Sequence, residues 1–477
     1  MLSDETLYLT VEELGEQIRS RKISPVELTE SYLARLERYG PKLSAVATVT
    51  RELALEQARA AEREIAAGKS RGPLHGIPYG AKDLLATRGI PTTWGAPPFR
   101  NQVFDYDATV VRKLREAGAI LVAKLAMIEL AGGCGYSNGR ASLQGGTRNP
   151  FHQDYWAGGS SSGPAASVAA GLVGFAIGSE TLGSIVSPAS YCACAGLRPT
   201  YGRVSRHGAM ALSWTMDKLG PLCRSAADCG LVLSAIAGSD PLDPASLDAN
   251  FYWWPPKPES RAGRSARPLA GKRIAAVPLD PAHPGNPEGE RAFSEALRVL
   301  RDLGARVDER ELPDFAYTTI ATTLYSAEAA SIFRPLVETG KIFELVDEPQ
   351  QAGFIAAMQI PACDYLDACR LRTEILGALG RLFESCDIIA AQTLPNAAFR
   401  LDTNFVPVAR AENRNLTSAG NVAGLPSISV PCGFTQAENL PLGIQFCADA
   451  TREDAAIECA IAYQSATKWH LRHPAAL

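Results

Sequence analysis

Histidine is scarce in this chain: there are six in 477 residues, at positions 75, 152, 207, 283, 470 and 473. A nucleophile activated by imidazole would have to draw on one of these few, and the two late ones, beside the C-terminus, are expected at the surface. Cysteine is present but unpatterned. The eleven residues make no CxxC pair and no spaced zinc set, and their number is odd. Buried reduced thiols in a cytoplasmic protein are therefore predicted, with no metal site. There is no basic run, and 47 Lys and Arg against 51 Asp and Glu leave a net charge of −4, which argues against direct nucleic-acid binding. The opening stretch MLSDETLYLTVEEL is acidic and lacks the pattern of a secretory signal. The uncharged stretch 155–179 is long enough to cross a bilayer, but its first half is Gly, Ser and Pro, and Gly171 and Gly174 interrupt the rest. A buried helix followed by a buried strand is predicted there, and no membrane association.

What is present is ordinary globular material, 46% hydrophobic and 21% charged, with length enough for one large domain or two to three smaller ones. Helix–stop–strand units recur. Thr10 with Glu13, and Ser24 with Pro25 and Glu27, are capping patterns that open two N-terminal helices. RELALEQARAAEREIAAGK is an amphipathic helix ended by Gly68, and TVVRKLREAGAILVAKL is a helix, a stop at Gly118 and an apolar strand. The same unit recurs at AASVAAGLVGFAIG, at AFSEALRVLRDLGARVDERELP and near CDIIAAQ. PSISVPCGF and LGIQFCAD are further strands before the closing helix REDAAIECAIAYQSATKW. These units predict an α/β fold with a large, mostly parallel β-sheet covered by helices on both faces. Residues 242–268 are predicted to be a long surface excursion. Composition leaves open whether 270–410 continues the same sheet or forms a separate unit.

The chemistry concentrates in residues 157–190, AGGSSSGPAASVAAGLVGFAIGSETLGSIVSPAS, where Glu180 is the single charge. Ser160, Ser161 and Ser162 stand before Gly163 and Pro164, at the predicted N-terminus of a small-residue helix where backbone N–H groups converge. The following strand ends in SETLGS, which puts Ser184 where open α/β sheets hold ligands. A flexible Gly-Ser linker would not be followed by an unbroken apolar helix and strand. A phosphate loop would need a lysine after the glycines. Residues 159–163 also satisfy G-x-S-x-G, which would make Ser161 the nucleophile of an α/β-hydrolase-type esterase, but RNPFHQDYWA before it is a poor core strand and no HGGG-type segment exists. In GPLHGIPYGAKDLL, Lys82 precedes an apolar run and could be directed inward.

Taken together, GIPYGAKD, GGSSSGPAASVAAGL, GSETLGSIVSPAS, GLRPTYGRVSRHGAMALSWTMDKLGPLCRS and GLPSISVPCGF occur in the order of the amidase signature family, and the chain resembles a member of it. The resemblance implies a single amidase-signature domain over 1–477, with core motifs in 70–240 and 415–475 and a variable, substrate-facing part at about 241–410. It further implies a Ser-cisSer-Lys triad. Ser184 would be the nucleophile, Ser160 the bridging serine after a cis bond, and Lys82 a base that must be neutral, well below the ordinary lysine pKa of about 10.4. Backbone N–H groups of Thr181, Leu182, Gly183 and Ser184 would form the oxyanion hole, with Gly159 and Ser161 in support. No metal or organic cofactor is implied.

The chain also departs from the family pattern. Leu182 precedes Gly183 where a glycine pair is usual, Glu180 replaces an aspartate, and Val186 replaces an arginine, so Glu180 must be unpaired, differently paired or exposed. The expected function is hydrolysis of a small-molecule carboxamide, aryl amide or carbamate by a stand-alone cytoplasmic amidase, with a homodimer left open. The alternative is the glutaminase/amidase component of a tRNA-dependent amidotransferase, which YGRVSRHG and GSDPLDPAS resemble and which would need a protein partner and glutamine. A non-catalytic binding relative is disfavoured by the filled triad positions. Phe315, Tyr317, Tyr325 and Phe333 are candidates to line an acyl pocket, with core packing expected for most of them.

Overall fold

The computed structural model describes residues 1–253, 267–281, 283–404 and 415–475. The middle of the predicted surface excursion, 254–266, lies outside the described residues.

Short-range signals set the elements as expected. Thr10 and Glu13 form a reciprocal capping box on helix Val11–Arg19, and Ser24 caps Pro25–Leu43 with proline at its start. Gly68 and Gly118 adopt φ of 76° and 80° just past the helices Arg51–Ala66 and Thr109–Glu116, conformations that stop a helix at little cost in glycine. The strands are β1 (Val46–Val49), β2 (Pro78–Lys82), β3 (Ile120–Leu125), β4 (Arg148–Asn149), β5 (His152–Trp156), β6 (Phe175–Glu180), β7 (Ala195–Arg198), β8 (Lys218–Cys223), β9 (Arg273–Val277), β10 (Arg306–Glu309), β11 (Ile388–Gln392), β12 (Ser427–Phe434) and β13 (Pro441–Cys447). The short ribbon β4–β5 stands apart. The others form one 11-stranded sheet in the order β1-β3-β2-β6-β8-β7-β12-β13-β11-β9-β10.

This sheet is mixed. Parallel pairing occupies two blocks, β3-β2-β6 and β11-β9-β10, and the strands between them run antiparallel. β9, β10 and β11 therefore continue the sheet that carries the serine-rich motifs. Both faces are covered, as strand alternation shows: Phe175 and Ile177 enter one apolar cluster and Ala176 another, while Ile274 and Ala276 separate from Ala275 and Val277 in the same way.

The variable part adds helices that periodicity did not announce, Tyr317–Ile332, Glu348–Ala357 and the long Ala362–Ser385. No helix among the described residues is long and apolar enough to cross a membrane, and 155–179 contains the helix Ser162–Ala169 followed by β6. No cysteine is paired, and most are buried, although Cys363 is exposed.

Candidate active site

Lys82 ends β2, beside β6 in the parallel block, so its side chain leaves the carboxyl edge of the sheet. It is fully buried. Its Nζ lies 2.7 Å from Ser160 Oγ, 3.0 Å from Ser161 Oγ and 2.9 Å from Ser179 Oγ, with the Ser179 carbonyl at 3.4 Å. All of these partners are hydroxyls or carbonyls. The neighbouring Asp83 turns away to pair with Lys124 at 3.1 Å and to accept from the Thr93 N–H. Burial drives the Lys82 pKa well down, and the more distant Asp217 and Glu180 only partly oppose it.

Two facts fix Ser160. The Gly159–Ser160 peptide bond is cis, and the Ser160 carbonyl accepts the Ile128 N–H at 3.2 Å. Ser161 has a different environment from that of an exposed nucleophile. Its hydroxyl donates to the Ser179 carbonyl at 3.1 Å, accepts the Ser179 N–H at 3.3 Å and receives Lys82, all in full burial. The ribbon β4–β5, not a central strand of the large sheet, precedes it. Ser161 thus ties helix Ser162–Ala169 to β6, and nothing in that arrangement resembles a nucleophile elbow. Close packing here demands glycine: a Cβ on Gly163 would stand 2.5 Å from the backbone N and O of Ala126 and from the carbonyl of Ala45.

Ser184 follows β6 in the loop before helix Val186–Tyr191, and it is nearly buried. Its carbonyl accepts the Ser161 N–H at 3.2 Å, which brings the two serine segments together. Among the described residues no hydrogen bond occupies the N–H groups of Leu182, Gly183 and Ser184.

Two carboxylates, the half-buried Asp217 and the fully buried Glu180, hold this loop at its ends. Asp217 accepts the Thr181 hydroxyl at 2.6 Å and the N–H groups of Leu212 and Ser213. Glu180 accepts the N–H groups of Ile185 at 2.8 Å and Val186 at 2.9 Å, and also binds Arg198 at 2.9 Å and Asn421 at 2.7 Å. Of the three possibilities left open for Glu180, it is the differently paired one. Burial pushes its carboxyl up, but Arg198, Lys218 and these hydrogen bonds together bring it below the usual range. Leu182 packs at the edge of an apolar cluster containing Met216 and Leu416. Sequence reasoning missed Asp217, Arg198 and Asn421. The first two lie in the GLRPTYGRVSRHGAMALSWTMDKLGPLCRS stretch, but their pairing depends on β8 and β7 lying next in order after β6 in the sheet.

Comparison with known proteins agrees with this architecture. A family model described as Amidase matches residues 27–457. The chain is 38% identical to one component of the Glutamyl-tRNA(Gln) amidotransferase of Moorella thermoacetica, over 98% of this chain and 99% of that one. Among solved structures, it is similar to the native peptide amidase from Stenotrophomonas maltophilia at 31% identity and a TM-score of 0.81, covering 96% of this chain and 97% of that one. It is also similar to the corresponding component of the Glutamyl-tRNA(Gln) amidotransferase of Thermotoga maritima at 28% identity and a TM-score of 0.76, covering 97% and 95%. With a family match over most of its length, the chain belongs to the amidase signature family, and it is an amidase acting on carbon–nitrogen bonds.

Proposed function

We propose that the chain cleaves a carboxamide through an acyl-enzyme, with Ser184 as nucleophile, Ser160 as proton relay and Lys82 as base. The observation that carries this is a fully buried amine 2.7 Å from the Ser160 hydroxyl with only hydroxyl and carbonyl partners. Neutral Lys82 takes the Ser160 proton as Ser160 takes that of Ser184, and Ser184 Oγ attacks the substrate carbonyl. The developing oxyanion is received by backbone N–H groups of the Thr181–Ser184 turn, each worth about 3 to 4 kcal/mol in comparable sites. Collapse returns the proton through Ser160 to the leaving amine, and water then repeats the sequence to release the acid.

For the identity of the amide, the curated relatives favour the amide-cleaving component of a tRNA-dependent amidotransferase. Glutamine would then be the amide, its ammonia would be passed on, and a protein partner and tRNA would be required. A stand-alone amidase is the second reading. It is favoured by Leu182 and Val186 where the family pattern has glycine and arginine, and by an apolar cavity beside the segment after Lys82.

The test is turnover by the purified chain of glutamine and of simple carboxamides, without partner or tRNA, together with labelling by a fluorophosphonate. Lys82→Ala, Ser160→Ala and Ser184→Ala should each lower turnover by orders of magnitude while circular dichroism stays native, and label should attach to Ser184. Retained turnover in Ser184→Ala would remove the assignment.

A further inference from the structure

A cavity of about 610 Å³ opens beside the residues that follow Lys82 in the chain. Its walls are aromatic: Trp94, Phe99 and Phe104 come from the loop after β2, and Phe333 comes from the helical insertion. The rings brace one another, with Trp94 centroids 4.4 Å from Phe99, 6.3 Å from Phe104 and 6.4 Å from Phe333. Leu336 closes another side, and the charged Lys341 stands exposed among the lining residues.

A smaller cavity of about 180 Å³ touches Ser179 and Thr181, at the end of β6 and the start of the nucleophile loop. The two cavities share His207, Ala209, Met210 and Ala211. That shared wall is fixed to the segment just past Lys82: the Ala86 N–H donates to the Gly208 carbonyl at 2.8 Å, and the Met210 N–H to the Leu84 carbonyl at 3.0 Å.

We propose that the larger cavity receives an uncharged aromatic or branched hydrocarbon group of the amide substrate, whose carboxamide reaches Ser184 by way of the smaller one. This rests on the amide-cleaving reading above and adds the substrate class. A volume of this size suits a ligand well beyond a bare amino acid. The larger cavity offers no buried counter-charge for a zwitterion such as glutamine, and burying unpaired charge there is strongly unfavourable, whereas the charged Arg206, Asp217 and Asp243 line only the smaller one. Apolar rings held by ring contacts offer a preformed surface that excludes water without reordering.

The experiment measures kcat/KM for acetamide, glutamine, phenylacetamide and 2-naphthylacetamide with the full chain and with two variants that fill the cavity. Leu336→Trp fills it from its wall, and Thr339→Trp does so from an exposed position, so that one variant remains informative if the other folds poorly. The expected result is a kcat/KM that rises roughly tenfold or more from acetamide to 2-naphthylacetamide, with that ratio falling by about the same factor in the variants. A flat series, or a ratio that the variants leave intact, overturns the proposal. Acetamide or glutamine turnover with fluorophosphonate labelling at Ser184, but no preference for the aromatic amides, sinks the substrate class alone. Failure to cleave any of the four, with no label on Ser184, sinks the amide-cleaving reading along with it.

Discussion

Glu129 offers the sharpest quantitative test of how the helical insertion is fastened to the segment that holds Ser160. It is fully buried one residue after Ile128, whose N–H holds the Ser160 carbonyl. Its carboxylate accepts the N–H groups of Val346 and Asp347, both at 2.9 Å, while Asp347 in turn binds the Ser137 N–H and caps the helix Glu348–Ala357. Burial pushes the Glu129 carboxyl up to about 7, against the two backbone N–H bonds, and the Asp347 charge adds to the rise. Because this pKa is raised on folding, the native protein binds the extra proton between the unfolded carboxyl value of about 4.3 and about 7, and stability falls as pH rises through that window. The gap corresponds to about 3 kcal/mol at pH 8 relative to pH 4.

Glu129→Gln keeps the shape and one acceptor while removing the titration. Urea unfolding of both proteins at pH 5, 6, 7 and 8, followed by tryptophan fluorescence, should show the variant gaining on the parent steadily, by about 2 to 3 kcal/mol across the series. Asp228, also raised by burial, to about 6, is present in both proteins and drops out of the difference. A pH-independent difference would refute the reasoning.

Other outcomes follow from the same geometry. Burial lowers the Lys82 pKa, so with Lys82 as the base proposed above kcat/KM should fall as pH drops through that lowered pKa, and Lys82→Arg, which stays protonated, should lose activity at every pH in a rate profile. Arg198→Met leaves Glu180 buried without its cation and should cost about 3 to 5 kcal/mol in denaturant unfolding, part of it recovered in the Glu180→Gln, Arg198→Met double variant. Gly163→Ala forces a methyl against three backbone atoms at 2.5 Å and should cost about 1 to 3 kcal/mol or more, visible as a lowered thermal midpoint; an unchanged midpoint would show that the helix can shift freely.

Much was legible in the sequence because it depends on near neighbours in the chain. The capping box at Thr10, the stops at Gly68 and Gly118, and the helix-to-strand unit around Gly171 are local conformational preferences, and each appears where the pattern put it. The helices from Tyr317 to Ser385 were not legible, since Tyr317–Ile332 is rich in alanine and threonine with no marked polar face, and its partners lie elsewhere in the chain. Lys82, Ser160 and Ser184 were singled out by motif, but their surroundings were not.

Taken alone, the sequence determined the alternation of helices and strands, the family, and the residues that compete for the chemistry, because these are carried by short segments. Only the tertiary structure decided that Glu180 would pair with Arg198 and Asn421, that Asp83 would turn from Lys82 toward Lys124, and that Glu129 would clamp residues more than two hundred positions away. Such partners are chosen by strand order and layer packing. A buried charge must take whichever donor the fold brings within about 3 Å, and separation along the chain does not encode that distance.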